Sequence, residues 1–92
     1  MPAYAVVHLT DINPEKLAAY RAEAGAALKQ HGGAVLAGGP GAEALEGEAA
    51  GMFAVLTFPD HDAARAWMSD PALASVHALR RAAARAVTVL LP

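Results

Sequence analysis

The order of strand-like and helix-like segments constrains this chain more than any other feature, because one unit is written twice. "YAVVHLT", Tyr4 to Thr10, is short and rich in β-branched and aromatic residues, as strands are. "DINPEK" follows with a helix start: Asn13 can cap, and Pro14 suits the first helical position, where its missing N–H would have gone unpaired anyway. The predicted helix carries Leu17, Tyr20, Ala24, Ala27 and Leu28 as an apolar stripe, and it ends at "HGG", where Gly32 or Gly33 can turn left-handed. "AVLAGG" reads as a second strand, interrupted by "GGPG" and resumed weakly by "EALEG", as in a bulged or hairpin segment near a sheet edge.

The second copy is plainer. "MFAVLTF", Met52 to Phe58, is a strand; Asp60 then caps a helix carrying Ala64, Trp67 and Met68. "SDP" resets that helix, with Asp70 capping and Pro71 opening a further piece that sets Leu73, Val76, His77, Arg80 and Ala84 along one side. "AVTVLLP" closes the chain as a last strand. Strand–helix–strand twice over predicts an α+β, ferredoxin-like βαββαβ protomer. It is an antiparallel sheet with its helices on one face, in a single domain over residues 1–92.

A domain of 92 residues buries only about two thirds of the surface its unfolded chain exposes. The hydrophobic fraction is 55%, but 25 of those positions are Ala. An Ala gains little beside the roughly 1.5–3 kcal/mol of a buried Leu or Val. A sheet with helices on one face and water on the other should alternate apolar with polar residues, yet in "MFAVLTF" and "AVTVLL" both faces are apolar apart from Thr. A second copy pressing its sheet against the first covers the bare face, which predicts a homodimer through sheet faces. A net charge of −2 gives no field to hold nucleic acid or an anionic membrane. The chain has no Cys, which removes disulfides, thiolate metal sites and thiol nucleophiles. "MPAYAVVHLT" has no leader pattern and no stretch is long enough to span a bilayer, so a cytoplasmic protein without a membrane partner is expected.

Over nearly its whole length the chain resembles the small bacterial family called domain of unknown function 1330, within the dimeric α+β barrel superfamily. The matching residues are Tyr4 with its strand, "NPEKLAAYR" with Tyr20 and Arg21, "HGG", and the pair Gly38 and Gly39. They continue with "LEG" and its Glu46, "FPD", "AARAW" with Trp67, then Pro71 and Arg80. The resemblance implies a homodimer of ferredoxin-like protomers with a cleft between sheet and helices, and no settled activity. Against the family's habit the chain carries Ala37 before the paired glycines, Thr57 in place of an acid, Met68 after the Trp and Leu73 after the Pro. Several groups that would line the family's cleft have thus become apolar.

Few residues can carry chemistry. His8 shares a strand face with Tyr4, Val6 and Thr10. Were that face turned to the helices, its imidazole could serve as a general base; the alternative is a core His bonded to a neighbour. Tyr20 on the first helix could donate to a ligand oxygen. Trp67 and His77 lie ten residues apart, about three turns, so both could face the sheet. That spacing looks like one in haem-degrading relatives of the superfamily, where a late-helix His binds iron, although a core Trp explains it more simply. Arg80 falls on the inward side and needs a carboxylate or an anionic ligand, while Arg81 should be solvated. His31 favours the end of the first helix through its dipole. "DHD" at Asp60 to Asp62 is read as capping and not as a metal site, because adjacent residues at a helix start diverge. There is no phosphate loop, and neither Ser sits on a strand-to-helix turn.

The expectation is therefore a homodimer whose cleft holds a small apolar or aromatic molecule, with Tyr20, Trp67 and Arg80 as ligand-binding residues and no cofactor or metal. Two alternatives stand beside it. One is a cofactor-independent oxygenase or cyclase with His8 or His77 as base; the other is an interaction module whose only partner is itself and whose cleft is filled.

Overall fold

Every second residue of the first strand, β1 (Ala3–Thr10), is buried: Ala3, Ala5, Val7 and Leu9. Tyr4, Val6, His8 and Thr10 between them are not. In this computed structural model, which describes Met1–Pro92, that alternation divides the molecule into a helix-covered and an open side.

The helix α1 (Pro14–Lys29) starts as expected, with the Asn13 side chain accepting from the Lys16 N–H at 3.1 Å and Pro14 in its first turn. It ends where Gly32 adopts φ +71°. The chain then forms β2 (Ala34–Pro40) and, after residues 41–51, β3 (Met52–Phe58). Asp60 caps α2 (His61–Ser69) by accepting from the Ala63 N–H at 2.8 Å. Asp70 caps a 3-10 turn (Pro71–Leu73), which leads into α3 (Ala74–Ala83) and β4 (Arg85–Leu90).

The four strands pair antiparallel in the order β2-β3-β1-β4. With all helices against one face, this is the ferredoxin-like arrangement. Ala5 lies opposite Leu56 on β3 and Leu90 on β4, and Val7 opposite Ala54 and Thr88. Residues directly opposite share a face, so these all look toward the helices. There Leu17 and Leu28 of α1, Trp67 of α2, and Val76 and Ala83 of α3 close one core with Val7, Leu9, Leu56 and Phe58. Phe58 and Trp67 meet with ring centroids 5.5 Å apart. The Asn13 N–H donates to the Ala83 carbonyl at 2.7 Å, tying the start of α1 to the end of α3.

β2 is an edge strand with a bulge between Val35 and Ala37 that leaves Leu36 58% exposed. The expected resumption of this strand at "EALEG" does not occur: residues 41–51 form an irregular connection. Pro40 ends the ladder, and Gly41 at φ +84° turns the backbone out of the extended region immediately after it. At the other end Gly51, φ +83°, passes so close to β1 that a Cβ there would overlap the Leu9 carbonyl oxygen.

Candidate functional site

Between α1 and the sheet the packing leaves a cavity of about 230 Å³. Its floor is Val7, Leu9, Ala54 and Leu56, and its roof is Leu17, Tyr20, Arg21, Ala24 and Leu28 of α1. Small residues make the space. Ala24 and Ala54 reach only partway across, and Gly38 on β2 lies with its Cα so near β3 that a Cβ would sit 2.9 Å from the Ala54 Cα. Eleven of the fourteen lining residues are hydrophobic; Tyr20 supplies the only hydroxyl and Arg21 the only charge. The cleft is thus not filled, and its apolar walls with a few polar groups are what a small-molecule site requires.

Of the residues singled out in sequence, Tyr20 alone lines this cavity. Trp67, His77 and Arg80 are gathered beside it in one buried cluster. His77 and Arg80 are each 2% exposed and Trp67 3%. The Trp67 and His77 rings meet edge-on at 4.8 Å. The His77 Nε2–H donates to the Trp67 carbonyl at 2.8 Å, and its Nδ1 accepts from the Arg80 guanidinium at 2.9 Å. Burial, chiefly, holds this imidazole below its ordinary 6.5; the Trp67 carbonyl pulls the other way, and the Arg80 charge adds to the lowering. His77 is therefore a neutral packing group with both nitrogens in use, which leaves none for an iron ion, so the cluster does not fit haem. Trp67 instead borders a smaller hollow of about 190 Å³ with Met68, Ala5 and Thr88, between α2 and the sheet.

Arg80 lacks the carboxylate that is one of its two expected partners; the ion pairs are His31–Asp70 and Asp62–Arg65. Its guanidinium lies 5.4 Å from the Trp67 ring centroid and 5.7 Å from that of Tyr20, and 3.7 Å from Met68 Sδ. Its Nε has no partner at all.

His8 stands on the other side of the sheet. It stacks on Phe53 at 4.3 Å and bonds through Nε2 to the Ala50 carbonyl at 2.7 Å. The condition for its use as a base, a face turned toward the helices, is not met. His31 ties α1 to the turn before α3 by bonding Asp70 at 2.9 Å, a contact across 39 residues that local sequence does not signal. The His31 bond, first, and the Ala72 N–H hold the Asp70 carboxyl below its ordinary 3.8. In the "DHD" run the three side chains diverge: Asp60 caps, His61 bonds the Leu91 carbonyl, and Asp62 pairs with Arg65. Arg21, which composition and spacing did not mark out as a site residue, stands in the cavity wall with Met52 Sδ at 3.7 Å.

The model of one sequence family, a domain of unknown function, matches residues 2–92. The chain belongs to the DUF1330 family. The fold has the same reach among solved structures. A protein of unknown function from Rhodopseudomonas palustris superposes with a TM-score of 0.78 at 20% identity, covering 98% of this chain and 80% of that one. A dimeric ferredoxin-like protein of unknown function from Jannaschia sp. CCS1 gives 0.76 at 17%, over 100% and 99%. SnoaB, a cofactor-independent oxygenase from Streptomyces nogalater, gives 0.65 at 15%, over 99% and 90%. At such identities the likeness is one of fold alone. No curated protein matches the chain in sequence. No helix of this DUF1330 chain is long and apolar enough to cross a membrane.

Proposed function

We propose that this chain works as a homodimer joined through its open sheet faces, and that the cavity under α1 holds a small apolar or aromatic molecule. The cavity itself carries the reading: about 230 Å³ walled by aliphatic side chains, with a phenol and a guanidinium as the only strongly polar groups. A dry apolar cavity of about 150 Å³ suffices for benzene, so one ring with a short substituent fits. Self-association is supported by the apolar open face and by the dimeric state of the Jannaschia protein.

An oxygenase or cyclase reading, prompted by the fold shared with SnoaB, needs a base at the cavity, and neither His8 nor His77 borders it. Holding a molecule is therefore preferred to transforming one. Titrating single-ring aromatics while following the amide signals of Gly38 and Gly39 tests the reading. Saturable shifts that vanish in Ala24→Phe, which fills the space from α1, are expected. Unchanged binding in that variant removes the cavity as the site. Sedimentation showing one-chain mass at every working concentration removes the dimer.

A further inference from the structure

Two guanidiniums stand at this cavity, Arg21 in its wall and Arg80 against the Tyr20 ring, and no carboxylate is in the lining. Arg21 stands in the wall on α1, exposed to water on its outer side, and the partner its guanidinium finds is the Met52 thioether, a weak acceptor at 3.7 Å. Arg80 lies behind Tyr20, its guanidinium carbon 5.7 Å from the ring centroid. It is 2% exposed, with a neutral imidazole and a thioether as partners and one N–H left unbonded. Neither guanidinium takes part in an ion pair. A buried cation without a counter-charge is costly, and its field reaches further through apolar packing than through water. Tyr20 lines the cavity with Arg21 and meets Arg80 with its ring, and its hydroxyl is the only one in the lining.

Resting on the cavity reading above, we infer that the ligand is an anion, a small aromatic or branched apolar carboxylate. Its body lies among Leu17, Leu28 and Leu56, and its carboxylate meets the Arg21 guanidinium and the Tyr20 hydroxyl. Arg21 gives the charge-assisted bond; Arg80 acts through space as a positioning charge behind the phenol. The arrangement discriminates by sign. An amine would face two uncompensated cations, and a neutral ring would gain the apolar contact alone.

The test compares phenylacetate with its neutral isostere phenylacetamide, on the intact protein at neutral pH, by calorimetry and by the Gly38 and Gly39 amide signals. A bond to a charged group corresponds to roughly tenfold or more in affinity, so phenylacetate should bind about tenfold tighter. That preference should shrink as salt rises, disappear in Arg21→Gln and persist in Arg21→Lys. Arg21 is on the surface, so these variants leave the core untouched. Equal affinity for acid and amide overturns the charge inference while the cavity reading stands. Binding of neither overturns both, and a preference undiminished in Arg21→Gln overturns the role given to Arg21.

Discussion

The two faces of the sheet are made by the same strands, yet they have opposite fates. On the helix side Ala3, Ala5, Val7 and Leu9 are between 1% and 6% exposed. On the open side, from the alternate positions, Tyr4 is 39%, Val89 45% and Val87 53% exposed. Register places Val6 between Val55 and Val89, and His8 between Phe53 and Val87, so the centre of the open face is apolar around His8. The strands are built for burial on both sides, and one chain supplies cover for only one. What the difference teaches is a division of labour: the covered face holds the chain's own core, and the open face is the surface proposed above to meet a second copy.

Substitutions of similar severity on the two faces should therefore fail in different ways. Phe58→Ala, at a ring 1% exposed against Trp67, should cost about 3–5 kcal/mol in chemical denaturation, by the same amount at any protein concentration. Val87→Lys should leave the folding of a single chain within about 0.5 kcal/mol. Because a two-fold interface meets the change twice, it should instead weaken self-association by about a hundredfold, or roughly 2.7 kcal/mol. The melting temperature of the parent protein should rise with concentration and that of the variant should not. A Val87→Lys protein that sediments as the parent does would remove the open face as the interface between copies.

The doubly apolar sheet was legible in the sequence, since a period of two shows which residues share a face. So were the caps at Asn13, Asp60 and Asp70, because each acts within three residues of itself. Which face the helices would cover was not legible. Both faces of β1 carry apolar residues, so nothing local sets Val7 inside and His8 outside; the packing of α1 and α3 decides it. Arg80 was visible as an inward charge, but its neighbours come from two other helices, and no local pattern could reveal that none of them is a carboxylate. Arg21 was passed over because its place in the cavity wall depends on Met52, on β3, 31 residues away.

On the covered side the largest polar commitment is His77. His77→Leu leaves the Trp67 carbonyl without its donor and an Arg80 N–H without its acceptor, and it should cost about 1–3 kcal/mol at neutral pH. The pH dependence follows from the direction of the shift. A native imidazole held below 6.5 binds a proton less readily than the same group in the unfolded chain. Its contribution is whole above 6.5 and declines as the pH falls from there toward the lowered native value. Asp70, held below 3.8, adds a second decline that begins only under that value. Denaturation at stepped pH should show both stages in the parent and only the lower one in His77→Leu. A parent stability flat through the upper stage would mean that the native imidazole takes up its proton as readily as the unfolded one.

The smallest effect is expected where neither face is involved. Asp62 and Arg65 form an ion pair at 3.1 Å on the first turn of α2, but their side chains are 94% and 65% exposed. Water screens such a pair, and holding two long side chains together costs entropy, so Asp62→Ala should change stability by less than about 0.5 kcal/mol. Double-mutant denaturation with Arg65→Ala measures the pair directly, and a coupling near zero is expected. The comparison with Arg80 is instructive, since charge acts by environment: the solvated Arg65 has a carboxylate that contributes little, while the buried Arg80 has none where one would matter most. A coupling well above 1 kcal/mol at Asp62 and Arg65 would mean that water does not reach this surface, and that a partner covers α2.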